Sequence, residues 1–219
     1  MIYYISNMIG TISLRDQISH WLQEQMLNGK IQSGQKLSLV QLSEDIQVSV
    51  TPIREALVQL VRAGIVRNIN NRGFYIPQLS SGEAKNIYPA IHALEKLALE
   101  QSQISPSQIT TMASIQSEFE KASDTVDAVR LDLQFHDSLV GNYKNEVVHN
   151  MLNDLKVRVF FYELQYMDDP KNHQKSVKGH HALLNSLIQK DVRKAAALLQ
   201  ENWDTSAKFI EDHYTNEKS

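Results

Sequence analysis

Two groups of residues in this 219-residue chain have types and spacings that can do chemistry. The first is Asp132 with His136, four positions apart, so that on a helix both side chains leave one face and can share a cation. His180 and Asn202 fall on what read as two later helices and could complete such a site from facing elements. Taken alone the pair is weak, because Asp-x-x-x-His recurs by chance and a simple hydrogen bond between the two explains it equally well. The chain has no cysteine, which excludes disulfides, thiol catalysis and thiolate zinc sites. Any ion must be held by His, carboxylate, amide or water ligands. The second group lies at residues 48–57. Ser49 and Thr51 are good helix caps, Pro52 suits the first helical position, and Ile53, Leu57 and Leu60 recur at helical spacing. Arg54 is left facing outward. Such a helix start offers free N–H groups and a positive dipole end to a phosphate, and a cation one turn further in reaches a base edge.

Stepping outward from these residues, segment 38–46 reads as the first helix of a helix-turn-helix, joined to the second through Gln47 and Val48. Gly64 ends the second helix. Residues 65–69 and 74–76 read as two short strands around the turn 70–73, a wing with Arg72 at its tip and Gly73 giving the backbone close access to a sugar-phosphate chain. Upstream, Leu14, Ile18, Trp21, Leu22 and Leu27 follow a helical period, with Asn28 and Gly29 as the stop. Alternation gives way to helical periodicity near residues 77–81. Ser80 with Glu83 reads as a capping box for a helix to about residue 103, interrupted by Pro89, and Ser105, Pro106 and Gln108 start the next, to about 123. Four more follow at about 126–143, 145–166, 172–189 and 192–214. The expected fold is mainly α: a winged helix-turn-helix domain over residues 1–78, then an all-helical antiparallel bundle of about six helices over 79–219 for effector binding and dimerisation.

Composition narrows the class. Hydrophobic residues make up 42%, ordinary for a globular protein, and no apolar run is long enough to cross a membrane. Residues 1–8 carry no positive region of an export signal, so a cytoplasmic location is expected. Residues 1–80 hold seven Lys/Arg against five Asp/Glu, and residues 81–219 hold fifteen against twenty, so only the first part suits a polyanion, and weakly.

The motifs at 28–31, 34–38, 49–57 and 71–74, in that order and spacing, resemble the GntR family of bacterial transcription regulators. The resemblance implies that Ser49, Thr51 and Arg54 contact double-stranded operator DNA from the recognition helix, and Arg72 and Gly73 from the wing. Two family arginines are replaced by Val40 and Val50, at about 1 to 3 kcal/mol of base discrimination for each bidentate pair lost. The C-terminal part resembles the FadR-like branch with its FCD domain. That likeness implies a divalent ion (zinc, nickel or manganese) on Asp132, His136 and His180, with Asn202 where relatives carry His, beside a small-molecule effector such as an organic acid. An arginine that relatives direct at the effector is Ile91 here, leaving Tyr88, His92 and Arg158 as candidate effector contacts. A homodimeric, non-enzymatic repressor without membrane contact is the expected whole. His149, His173, His181 and His213 read as surface or packing residues, and the aromatic run 160–166 as core or dimer contact. Two alternatives remain: a metal-dependent enzyme with Glu95 or Asp137 as base, and a winged-helix protein interaction module, for which Val40 and Val50 speak.

Overall fold

A computed structural model describes residues 13–216, which form two compact units dividing between Gln78 and Leu79. The reading of residues 1–8 lies outside the described residues.

In the first unit, Ser13 caps α1 (Leu14–Leu27) by accepting from the Asp16 N–H. Its inward stripe is Ile18, Leu22 and Met26, spaced at i, i+4 and i+8. Leu14 is exposed, while Trp21 and Leu27 are half-buried, so Met26 fills the place expected of Leu27. α2 (Leu39–Ile46) is capped by Ser38 and ends on Gln47 in the left-handed conformation, the turn of a helix-turn-helix. α3 (Val50–Arg62) begins at Val50 with Ser49 at its cap position, yet the Ser49 hydroxyl makes no capping bond. Pro52 is thus the third helical residue and not the first. It is tolerated because the first four N–H groups of a helix lack intrahelical partners.

The sheet has three antiparallel strands in the order β1-β3-β2: β1 (Lys36–Leu37), β2 (Arg67–Ile69) and β3 (Gly73–Tyr75). The outer strand β1 was not expected, since two residues leave no period to read. Its register sets Leu37 opposite Phe74, both buried. The wing strand starts two residues later than expected. The N–H groups of Ile65 and Val66 instead close the end of α3 on the Leu60 carbonyl, and both side chains plug the core. At the wing tip Asn71 and Gly73 have φ of 60° and 96°, the left-handed geometry that asks for Asn or Gly.

The second unit is helical throughout its described length: α4 (Ser81–Gln101), α5 (Pro106–Phe119), α6 (Thr125–Val140), α7 (Glu146–Met167), α8 (Pro170–Ile188) and α9 (Val192–Asn216). α4 is not interrupted at Pro89. Pro89 and Lys85, whose carbonyl loses its partner, both lie on the exposed face, so water can satisfy that group while Ile87, Tyr88, Ile91 and Glu95 hold the inner face in place. Ser80 caps α4, but the reciprocal half of the expected capping box is missing. Its own N–H donates to Tyr162 Oη, and the Glu83 carboxylate is taken by Arg158 and Tyr162. Ser105 and Gln108 do form a full capping box on α5. Asn145 caps α7 twice, accepting from the N–H groups of Val147 and Val148 at 3.1 and 3.3 Å. Asn145→Ala should therefore lower stability by about 1 kcal/mol, read as a lower chemical denaturation midpoint with unchanged slope.

Candidate functional site

α6 presents Asp132 and His136 one turn apart on its buried face, α8 presents His180 and α9 presents Asn202. The fold brings these side chains together. One ligand atom each from Asp132, His136 and His180 lies within 4.8 Å of the others. His180 Nε2 stands 3.3 Å from Asp132 Oδ1, and Asn202 Nδ2 stands 3.3 Å from His136 Nε2. Ligands about 2.1 Å from a tetrahedral ion are about 3.4 Å apart, so these separations suit one cation. The donors are also pre-aimed. His136 Nδ1 bonds Glu95 Oε2 at 2.8 Å and His180 Nδ1 bonds Gln116 Oε1 at 2.9 Å, which turns both Nε2 atoms to the shared point. Asp132 Oδ1 and His180 Nε2 are buried with no hydrogen-bond partner, although they face each other. A divalent ion between them would satisfy both, so the donor set fits a metal. Asn202 is the poorest donor as it lies, with Oδ1 turned to Gly179, where an added Cβ would sit 3.2 Å away. Turning the amide over would present the oxygen to the site.

Around this cluster lie groups that spacing alone did not reveal. Glu95, read above only as an alternative base, accepts through Oε2 from His136 and from Trp203 Nε1 at 2.7 Å, and its Oε1 is ion-paired with Lys156 Nζ at 3.3 Å. Lys156 also pairs with Asp137. Glu163 accepts from Tyr88 Oη at 2.6 Å and from Ser206 Oγ at 3.2 Å. A usable signal existed: Glu95 continues the inward stripe Tyr88–Ile91 on α4, and Glu163 sits between Phe160 and Tyr166 on α7. Carboxylates seldom occupy such stripes without a partner.

The three candidate effector contacts are differently placed. Tyr88 is fully buried and spends its hydroxyl on Glu163, and Arg158 is paired with Glu83 at 2.8 Å. His92 is half-buried with an unpartnered Nε2, and burial pulls its pKa below the ordinary value. None of the three lines the cavity of about 380 Å³ that reaches Asn202 between α8 and α9, whose wall includes Tyr166, Lys175, Ser176, Lys178 and Thr205.

In the first unit α3 divides cleanly. Ile53, Ala56, Leu57 and Leu60 are buried, while Ser49, Thr51 and Arg54 are exposed, Arg54 with Arg15 and Arg62 around a hollow of about 430 Å³. Arg72 is exposed at the wing tip beside half-buried Gly73. Val40, where a cation was expected, is 63% exposed, and Val50 is half-buried.

Comparison with known proteins agrees with this division. Residues 14–76 match the profile of bacterial regulatory proteins of the gntR family, and residues 86–205, over half of the chain, match the FCD domain. The HTH-type transcriptional regulator YdhC of Bacillus subtilis, itself uncharacterized, is 26% identical over 187 residues, 82% of this chain and 83% of that protein. The gluconate operon transcriptional repressor of Bacillus licheniformis is 24% identical, covering 90% and 85%. Among solved structures, a GntR-type transcriptional regulator of Rhodococcus superposes with a TM-score of 0.82 at 16% identity, over 93% of this chain and all of that one. Escherichia coli McbR does so with 0.76 at 21%, with the same coverage. These relatives are regulators and not enzymes.

The buried carboxyl groups make one consequence measurable. Burial pushes Glu163 up to about 8, helped by the charge of Asp132, and burial likewise lifts Asp132 to about 6. An unfolded glutamate titrates near 4.5, so above that pH the folded chain keeps a proton that the unfolded chain has lost. The stability this gives is complete below the unfolded value and is lost as pH rises through the folded one, by at most about 1.4 kcal/mol per pH unit. With chelator present, Glu163→Gln should flatten the fall in stability between about pH 5 and pH 8. An unaltered slope would show that Glu163 enters the fold ionised.

Proposed function

Since this chain belongs to the gntR family of bacterial regulatory proteins, carries an FCD domain and is a DNA-binding transcription regulator, we propose that it represses from a short palindromic operator. It does so as a homodimer and under the control of a small effector that meets a divalent ion in the helical unit. Residues 1–78 would be the DNA-binding domain and 79–219 the effector and dimerisation domain.

On the DNA side, Ser49, Thr51 and Arg54 would enter the major groove from the exposed face and start of α3, and Arg72 and Gly73 would approach the backbone from the wing. Loss of two cations at Val40 and Val50 leaves Arg54 as the chief base reader of α3 and weakens discrimination of guanine. A dimer multiplies specificity because one small head makes few base contacts, and two heads on half-sites a helical turn apart read twice as many.

On the effector side, the observation that carries the reading is the pair of unpartnered, mutually facing buried atoms, Asp132 Oδ1 and His180 Nε2. Asp132, His136 and His180 would hold the ion, with the Asn202 amide oxygen as a fourth ligand after turning over. Two imidazoles suit zinc or nickel, while a carboxylate and an amide oxygen in the set draw preference towards a harder ion such as manganese. When bound, the ion would supply an electrophilic seat for an oxygen of the effector, standing in for the cation that Ile91 replaces. The effector shifts operator affinity only by its unequal affinity for the operator-competent form and the other forms.

Fragments of genomic DNA selected by the purified protein test the DNA half, and the genes beside them nominate the effector. Arg54→Ala should abolish selection of the operator while the protein stays folded; undiminished binding would remove the assigned recognition helix. His136→Ala and His180→Ala should each lower metal content in elemental analysis, and Asn202→His should shift preference towards zinc. Equal metal in wild type and the alanine variants would dismiss the centre.

A further inference from the structure

Gln116, on α5, is 1% exposed and carries no charge, yet its amide is satisfied on every side. Nε2 donates to the Val177 carbonyl at 3.2 Å and to Glu120 Oε1 at 3.3 Å. Both are pure acceptors, so the amide cannot turn over without setting oxygen against oxygen. Oε1 must therefore face His180 Nδ1, at 2.9 Å, and an oxygen there requires a proton on Nδ1. His180 is fully buried, where a neutral ring carrying a single N–H is the form that costs least to take out of water. Once that N–H is committed to Gln116, Nε2 holds only a lone pair. His180 Nε2 and Asp132 Oδ1, 3.3 Å apart and without a hydrogen bond, are then two acceptors facing each other. Phe135, stacked on the imidazole at 3.9 Å between centroids, keeps the ring from rotating out of this plane.

We infer that Gln116 is a positioning residue that confines the His180 proton to Nδ1, keeping Nε2 bare and opposed to Asp132. Its purpose rests on the metal-centre reading above. The alternative tautomer would set an Nε2–H against the Asp132 carboxylate and screen its charge, whereas the enforced one leaves two acceptors that only a cation or a proton can reconcile. Glu120, which fixes the Gln116 amide, is itself held by His181 Nε2 at 2.6 Å, so the constraint runs from the surface to the buried ligand.

Long-range ¹⁵N–¹H correlation spectra of the metal-free full-length protein report the tautomer of each histidine. Wild type should show His180 as the Nδ1–H form. Gln116→Met, close in volume and unable to accept, should move the proton to Nε2. Its affinity for zinc, measured by chelator competition, should fall ten- to a hundredfold. A wild-type His180 protonated on Nε2, or a Met variant with an unchanged tautomer, would overturn the assignment. If wild type binds no zinc, nickel or manganese, the metal centre falls, and the spectra still decide the role of Gln116.

Discussion

The helical unit is organised by a scarcity of positive charge in its core. Among its described residues three carboxyl groups, Glu95, Asp132 and Glu163, are buried against one buried ammonium, Lys156. A charge taken out of water costs far more than a packing defect unless it is paired, protonated or bound to an ion. Each of the three is resolved differently. Glu95 gathers Lys156, His136 and Trp203 and is held down to about 2, since burial, which would raise it, is outweighed by those partners. Glu163 has only neutral hydroxyls and is lifted by burial. Asp132 lies between, facing a histidine nitrogen that has no proton to give. The proposed ion belongs at that unresolved carboxylate.

The same arrangement ties the bundle together. Glu95 comes from α4, His136 from α6, Lys156 from α7 and Trp203 from α9, so one carboxylate joins four helices that are distant in sequence. Gln116 and His180 extend the network to α5 and α8. The centre thus touches side chains from every helix of the unit. The first unit has the opposite design. Among the described residues its core is apolar but for Ser19, and the proposed DNA contacts are exposed side chains on α3 and the wing. Arg54 lies one turn from Val50 and shares a hollow with Arg15 and Arg62, with Glu55, Val58 and Gln59 also in its wall.

Elements were legible where local rules govern them. Caps at Ser80 and Ser105, the stop at Gly29 and the stripe Ile53, Leu57 and Leu60 depend on neighbours within one or two turns, and the helices fall within a few residues of their expected places. Departures arose where distant groups intervene. β1 exists only because β3 offers its edge, Ile65 and Val66 are drawn into the core, and Glu83 is claimed by Arg158 and Tyr162 instead of closing a capping box. Pro89 failed to break α4 because the inner face of that helix is packed while the lost bond faces water.

By itself the order of residues determined that α6 carries a carboxylate and an imidazole on one face and that α3 turns a cation outward, because a helical period converts spacing directly into direction. It could not determine which atoms of those side chains remain available. That His180 meets Asp132 through a bare nitrogen, that Arg158 is spent on Glu83 and Tyr88 on Glu163, and that Gln116 governs a proton on a different helix follow from partners brought together across 48 to 75 positions of chain. Hydrogen-bond donors and acceptors are consumed by whatever the closed core sets beside them, and only the packed tertiary structure decides that.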